Sequence, residues 1–137
     1  MAITYKEIKG TLTDLGFEID DEVDSEYPRV RRNAINRTLD VLWSTVILPN
    51  IGYFEEHYDT DEDAGGLLHV DEDTEDDDLI DIPQILEPLL ALLTAHWLWL
   101  DDDITKATIY WNEYDDIKNQ ILATIAKPRN AQIIGGF

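Results

Sequence analysis

The chain has 137 residues and no cysteine, and its 30 acidic residues against 10 basic residues give a formal net charge of −20. This length suits one domain, 1–137, with its own core, and the lack of cysteine excludes disulfides, thiolate metal sites and cysteine nucleophiles. The negative charge disfavours binding of nucleic acid or an anionic membrane through a basic surface, because the field of the protein repels phosphates.

The first predicted helix covers Tyr5–Leu15. Thr4 and Glu7 have the spacing of a capping box, in which each side chain bonds the free backbone N–H of the other residue. Apolar residues recur every three or four positions, and Gly16 is a typical helix stop. An acidic linker, 18–24, leads to the next helix.

The second predicted helix covers Glu26–Leu48, with Ser25 as its N-cap and Pro28 in its first turn. It carries four of the ten basic residues of the chain: Arg29, Arg31, Arg32 and Arg37. In so acidic a protein, we expect Arg29 and Arg32 to contact carboxylates of a partner subunit or of their own chain rather than nucleic acid.

Helical periodicity fails in the next segment, the acidic excursion 51–81. The apolar pieces 51–54 and 67–70 flank Gly65-Gly66, which predicts a β-hairpin or a long loop. Because like charges repel, its tip is expected to be mobile when the protein is free. Eight carboxylates of the excursion are candidates for an acidic surface or a channel lining: Asp59, Asp61, Asp63, Asp71, Asp73, Asp76, Asp77 and Asp78.

The third predicted helix begins after Asp81 as its cap and is apolar nearly all round through Leu100. A helix of this kind is buried on several sides, either in the core or against another subunit. Its Trp97 and Trp99 are therefore candidate subunit contacts. The most apolar stretch, Leu89–Leu100, is too short to cross a bilayer, which needs about 20 residues.

Asp103 is the predicted cap of a fourth helix, Ile104–Ala126, which Pro128 is expected to stop. An extended tail, 128–137, follows. The inner stripe of the helix is predicted to contain Ala107, Tyr110, Trp111, Tyr114, Ile117, Ile121 and Ile125. The tail contributes the candidate partner contacts Ile133, Ile134 and Phe137.

The pattern as a whole predicts a mainly α fold. We expect an antiparallel bundle of about four helices with its core in 4–50 and 81–127, an excursion between the second and third helices, and an extended C-terminal tail. One domain accommodates all of these elements.

The sequence contains no phosphate-binding glycine loop and no nucleophile motif, so we expect no enzyme activity. The spacing of Asp59, Asp61 and Asp63 matches the first three ligand positions of an EF-hand. Ala64 then occupies the position of the required glycine, and Val70 that of the bidentate glutamate. A second candidate loop starting at Asp71 also lacks the glycine and the final glutamate of an EF-hand. We expect no cofactor and no dedicated metal site, and weak divalent cation binding stays open.

The C-terminal half resembles a known family. The segments Ile82–Leu90, Trp97–Asp103 and Tyr110–Ile117 are similar to the helical hairpin of head–tail connector proteins of tailed phages and archaeal tailed viruses, also called adaptor or head-completion proteins. In these proteins an apolar helix ends in an acidic turn, and a helix with a Lys-Ala, Tyr, Glu-Tyr pattern follows. Arg32–Asp40 resembles the long second helix of the family.

The resemblance implies a structural protein of the virion neck that is made in the host cytoplasm. Such subunits form a homo-oligomeric ring, commonly of about twelve copies, between the portal protein and the tail or stopper proteins. DNA passes through the ring during packaging and ejection without sequence-specific binding. An acidic lining would let DNA slide, because carboxylates repel phosphates.

Two alternatives stay open. The chain is compatible with a small acidic binding module, either a DNA mimic or a cation-binding interaction protein. A halophilic origin would also produce an acidic surface. However, the charge is concentrated, since no Lys or Arg occurs from Thr38 through Thr105, and this favours a local function.

Overall fold

A computed structural model describes residues 3–16 and 26–135, with the side chains of the last helix described up to residue 126. The described residues are mostly helical and contain no β-strand, only an isolated bridge between Thr4 and Leu79. The expectation of a mainly α fold is confirmed, and the alternative of a β-hairpin in the excursion is wrong. The helices are α1 (Tyr5–Asp14), α2 (Tyr27–Leu42), α3 (Ile51–His57), α4 (Glu87–Trp99) and α5 (Ile104–Gly135).

The start of α1 has the predicted capping box. Thr4 Oγ1 accepts a hydrogen bond from the Glu7 N–H at 3.2 Å, and the Thr4 N–H donates to Glu7 Oε1 at 3.3 Å. After α1, Gly16 has a φ of 104°, and a Cβ added to it would lie 3.1 Å from the ring of Trp99. Both the backbone angle and the close approach of α4 therefore require glycine at this position.

The second helix continues further than predicted, and it does so in four consecutive pieces. α2 passes through a π-helical turn at Trp43–Ile47 and a 3-10 turn at Leu48–Asn50 into α3. Residues 51–57, which begin the predicted excursion, are therefore helical. This helix is anchored by Phe54, which is fully buried in the core. The predicted cap Ser25 and the linker 18–24 lie outside the described residues.

α4 occupies the centre of the fold. It contacts α1, α2 and α5, and its buried side chains include Leu89, Leu90 and Leu93. Thr94 shares a buried hydrogen bond of 2.9 Å with Thr38 of α2. The sequence left open whether this apolar helix is buried in the core or against another subunit. For these residues, burial in the core of their own chain applies.

α5 folds back along α4 after a turn, and the predicted cap at Asp103 is confirmed. Asp103 Oδ1 accepts hydrogen bonds from the N–H groups of Thr105 at 3.1 Å and Lys106 at 3.2 Å. Tyr114 is buried, whereas Trp111 is 38% exposed and lies at the edge of the inner stripe, with its ring centre 5.2 Å from that of His96 on α4. At about 100° per residue, Trp111 lies to one side of the line through the buried residues.

The predicted stop of this helix at Pro128 is also wrong, since α5 continues to Gly135. A proline removes one hydrogen bond from a helix, which weakens the helix without ending it wherever the following residues can resume the pattern. The next glycines after Pro128 are Gly135 and Gly136, so no stronger stop signal occurs before them. Residues 128–135 therefore form no extended tail, and Phe137 lies outside the described residues.

Candidate functional site

The part of the excursion that follows α3, residues 58–81, is here called the acidic loop; its helical structure is a single 3-10 turn at Glu62–Ala64. Its first anchor is Asn36 of α2, whose Nδ2 donates to the Val70 carbonyl and whose Oδ1 accepts from the Val70 N–H, both at 2.8 Å. Beside it, His69 Nε2 lies 2.7 Å from Asp40 Oδ1. The Asn36 side chain thus makes the two hydrogen bonds that a paired β-strand would otherwise make, because it bonds both backbone groups of the buried residue Val70.

The second anchor of the acidic loop is the N-terminus of α1. The N–H groups of Tyr5 and Lys6 donate to the carbonyls of Asp78 at 2.9 Å and Asp76 at 3.0 Å. These donors belong to the first turn of α1 and have no partner within the helix. Lys9 forms an ion pair with Asp76, and this hydrogen bond and charge lower the pKa of the Asp76 carboxyl.

Carboxylates of the acidic loop also build its turns. Asp61 Oδ1 accepts a hydrogen bond from the Asp63 N–H at 2.9 Å, and Asp71 Oδ1 accepts one from the Asp73 N–H at 2.9 Å. In such turns the side chain holds its own backbone two residues on. Among residues 3–16 and 26–135, no group of three or more His, Cys, Asp or Glu side chains could hold a metal ion. Weak cation binding stays a prediction.

A cavity of about 470 Å³, here called the acidic groove, lies between the acidic loop and the residues that precede and begin α4. Trp43 and Tyr58 supply its aromatic lining. Its carboxylate lining comes from Asp59, Asp61, Asp81 and Glu87. The groove therefore combines aromatic rings with several negative charges, which is a suitable environment for an organic cation.

Two polar groups in the acidic groove affect what it could bind. Glu87 Oε1 is buried and has no hydrogen-bond partner. Burial raises the pKa of the Tyr58 hydroxyl, with further contributions from Tyr53 and from the negative charge of Glu87. The negative charge of Glu87 therefore disfavours ionisation of the Tyr58 hydroxyl.

All eight acidic candidates are exposed, but the fold separates them. Asp59 and Asp61 line the acidic groove, and the other six do not. Two lining carboxylates were missed as site residues. The predicted cap of the third helix at Asp81 is wrong, because Asp81 Oδ2 accepts a hydrogen bond from the Leu68 N–H at 2.7 Å and Pro83 precedes the 3-10 turn before α4.

The other missed carboxylate, Glu87, lies in the first turn of α4, where acidic residues are common for reasons of helix stability alone. Nothing in its sequence position marks it as part of a site. The sequence does point to the other side of the groove, since Asp59 and Asp61 of the acidic loop are among the predicted site residues.

The candidate subunit contacts on α4 interact with their own chain. The guanidinium of Arg37 lies 3.8 Å from the centre of the Trp97 ring. Trp99 Nε1 donates to the Leu15 carbonyl at 3.3 Å, and Lys106 lies over the Trp99 ring. Both indoles thus connect neighbouring elements of the fold, and their contact with a second subunit stays a prediction.

The candidate contacts on α2 differ from each other. Arg29 is exposed and pairs with Glu26 at 2.8 Å, which is the internal ion pair that was one of the two alternatives. Arg32 is half-buried on the same helix. The backbone positions of Ile133 and Ile134 lie on α5.

The largest exposed apolar side chains of the α4–α5 hairpin lie close to its turn. This hairpin patch consists of Leu100, Ile104, Ile109 and Trp111, with exposed fractions of 36%, 64%, 50% and 38%. The sequence did contain a signal for it, since Ile104 and Ile109 fall outside the predicted inner stripe of the helix. Ile109 lies about 140° round α5 from Ile104, so the patch extends over more than one side of the hairpin. Exposed apolar side chains often mark an interface.

No family model matches the chain, and no curated protein or solved structure matches it either. The resemblance to connector proteins therefore rests on the sequence segments quoted above. No helix within residues 3–16 and 26–135 has the length and apolar character needed to cross a membrane.

Proposed function

We propose that this chain is a head–tail connector subunit of a tailed virus, which assembles into a homo-oligomeric ring that conducts DNA between the portal and the tail. The observation that carries the proposal is the distribution of exposed side chains. Exposed carboxylates are most numerous in the acidic loop, which also exposes Leu68 and Leu79, whereas the hairpin patch exposes four apolar side chains at the α4–α5 turn and along the start of α5. A subunit of a closed ring needs complementary surfaces for its two neighbours and a further surface for the channel.

The hairpin patch suits contact with a neighbouring subunit. Ile104 and Ile109 expose about half or more of their surface, and burying such side chains is favourable. The acidic loop suits a channel wall, because its carboxylates repel the DNA backbone and so prevent it from sticking. The resemblance of the α4–α5 sequence to the connector hairpin points in the same direction.

The length of α5 supports the proposal as well. The helix has 32 residues, against 13 in α4, and spans about 48 Å at 1.5 Å per residue. Its far end, which includes Ile133 and Ile134, therefore reaches beyond the helix on which it packs. In the proposed ring, that end contacts a neighbouring subunit, the portal or the tail.

Light scattering on the purified protein tests the ring directly. At molar salt, where carboxylate repulsion is screened within about 3 Å, we expect a species near twelve times the subunit mass of 15.8 kDa. The same species at low salt would mean that repulsion does not limit assembly. A monomer at every salt concentration, and also in the presence of portal protein, would overturn the proposal.

Two matched substitutions separate the surfaces. Ile109→Asp places a charge in the hairpin patch and is expected to abolish the ring. Leu68→Asp adds the same charge to the acidic loop, where the side chain is 75% exposed, and is expected to leave the ring intact. Equal effects of the two substitutions would contradict the assignment of the contact surface to the hairpin.

A small acidic binding module is the second candidate function. The acidic groove favours it, because the groove presents aromatic rings together with carboxylates at a concave surface. Under this alternative the protein is a monomer that binds a basic partner tightly and forms no ring with portal protein. The light-scattering experiment therefore distinguishes the two candidates.

A further inference from the structure

We propose that the acidic groove binds the side chain of an arginine presented by a different protein. The inference does not depend on ring formation, since every lining residue belongs to one copy of the chain. It rests on the charge of the lining, on an unsatisfied buried acceptor and on the two aromatic rings.

The lining of the acidic groove contains four carboxylates and no cation. Asp61 and Asp81 each use one oxygen to accept a backbone hydrogen bond. Glu87 Oε1 is different, because it is buried and has no hydrogen-bond partner. A buried acceptor without a donor is unfavourable, so a ligand that brings N–H groups to Glu87 is favoured.

The aromatic lining selects the type of cation. A guanidinium is planar and weakly hydrated, and it can stack on an aromatic ring while it donates to carboxylates at its edge. The rings that line the groove are those of Tyr58, which is half-buried, and Trp43, which is 8% exposed. The fold already contains this kind of contact, since Arg37 lies over Trp97 and Arg31 over Tyr27. A bare metal ion fits less well, because the described residues form no cluster of three or more potential metal ligands.

The size of the groove agrees with a side chain and its adjoining backbone. Its volume of about 470 Å³ lies within the range of about 300–1,000 Å³ that is typical of ligand pockets. The groove can therefore accommodate an arginine together with part of its peptide.

The arginine is expected to come from another protein. Of the five arginines of the chain, Arg29, Arg31 and Arg37 contact groups of their own subunit, and Arg32 is half-buried. The net charge of −20 also makes two copies of the chain repel each other at low salt and attract a basic partner.

A titration followed by amide NMR spectroscopy tests the site with defined probes. The ligand is N-acetyl-arginine amide, and the matched control is N-acetyl-citrulline amide, which has nearly the same shape and no charge. We expect saturable shifts of the amides of Tyr58, Asp59 and Leu67 with arginine, and binding at least tenfold weaker with citrulline. Equal binding of the two probes, or shifts that do not saturate, would overturn the proposal.

Two substitutions of equal charge show whether the groove itself binds the probe. Glu87→Gln changes a lining residue, and Asp77→Asn changes an exposed residue outside the groove. We expect affinity for the arginine probe to fall at least fivefold in the first variant and less than twofold in the second. Asp59→Asn, at an exposed lining position, is a further test in case the Glu87 variant does not fold. Equal losses in groove and control variants would mean general attraction to a negative surface and would overturn the site.

The source of the arginine is tested by dilution. If a second copy of the chain supplied it, the same amides would shift when the protein alone is concentrated, which would contradict the assignment to a different protein. Amide positions that do not change with protein concentration, combined with saturable binding of the arginine probe, are the expected result.

Discussion

The helical core and the acidic loop are held together by different forces. In the core, α4 buries Leu89, Leu90 and Leu93 completely against its neighbours. In the acidic loop, most side chains are exposed, and order comes from hydrogen bonds to α1 and α2 and from the turns built by its own carboxylates. A segment rich in like charges can therefore adopt a defined backbone conformation, provided that its backbone N–H and C=O groups have hydrogen-bond partners.

The same difference explains why the helical core is easier to predict from sequence than the acidic loop. Apolar burial repeats with the period of a helix, whereas backbone hydrogen bonds leave no periodic pattern. The few apolar anchors of the acidic loop, Leu67, Val70 and Ile80, are buried but irregularly spaced. Substitutions matched between the regions should separate the two kinds of stabilisation.

The largest difference is expected for leucine truncation. Leu93→Ala leaves a cavity in the core, where the side chain is fully buried, and should lower the free energy of unfolding by about 2–5 kcal/mol. Leu68→Ala truncates a 75% exposed leucine of the acidic loop and should change it by less than about 0.5 kcal/mol. Urea unfolding measures both, and similar losses would contradict the division into core and loop.

Glycine substitution should show the next largest difference. Gly16→Ala introduces strain at a φ of 104° and places a Cβ 3.1 Å from Trp99, so we expect a loss of about 2–3 kcal/mol. Gly65→Ala introduces strain at a φ of 75° but meets no atom within 4 Å, and should cost about 1 kcal/mol. Thermal unfolding measures the two losses. If the Gly65 variant were the less stable one, the packing of α1 on Trp99 would be wrong.

Loss of the Asn36 anchor should loosen the acidic loop locally. Asn36→Ala removes both hydrogen bonds to Val70 and should cost about 1–2 kcal/mol. Hydrogen exchange of the Val70 amide should accelerate strongly, while exchange of the α4 amides should accelerate only as far as the loss of global stability requires. In contrast, Asn50→Ala removes one bond to the Val46 carbonyl and should leave Val70 protected. Unchanged exchange at Val70 in the first variant would contradict the anchor.

The smallest effect concerns pH. Because Lys9 lowers the pKa of Asp76 in the folded protein below its ordinary value of 3.8, the unfolded chain binds the proton more readily. This contribution to stability is present above the unfolded pKa and is lost as pH falls through the folded pKa.

Lys9→Met should therefore flatten the fall of stability with acid below about pH 4, by a small amount because Asp76 is exposed. Lys106→Met, which removes a charge over the Trp99 ring, is the control. Parallel acid-unfolding curves for wild type and the Lys9 variant would show that the ion pair has no effect on stability.

Much of the helical core could be predicted from sequence. The capping box at Thr4 and Glu7, the cap at Asp103 and the burial of α4 all follow from local rules that the structure obeys. The stop at Pro128 could not, because a proline indicates a weakened helix and does not reveal whether the helix resumes.

The site was less predictable than the fold. Asp59 and Asp61 were candidates because of their type and spacing, but Asp81 and Glu87 join them only through the folding of the loop onto α4. Trp43 lies far from these residues in sequence, within the α2–α3 connection. A groove formed by side chains from separate segments has no sequence motif, so it can be identified only from the tertiary structure.

Electron microscopy of the assembled protein at molar salt tests the central claim most directly. The proposal predicts closed rings with rotational symmetry, in which the hairpin patch lies between subunits and residues 58–81 face the central channel. Particles without rotational symmetry, or rings with the acidic loop on their outer rim, would contradict it.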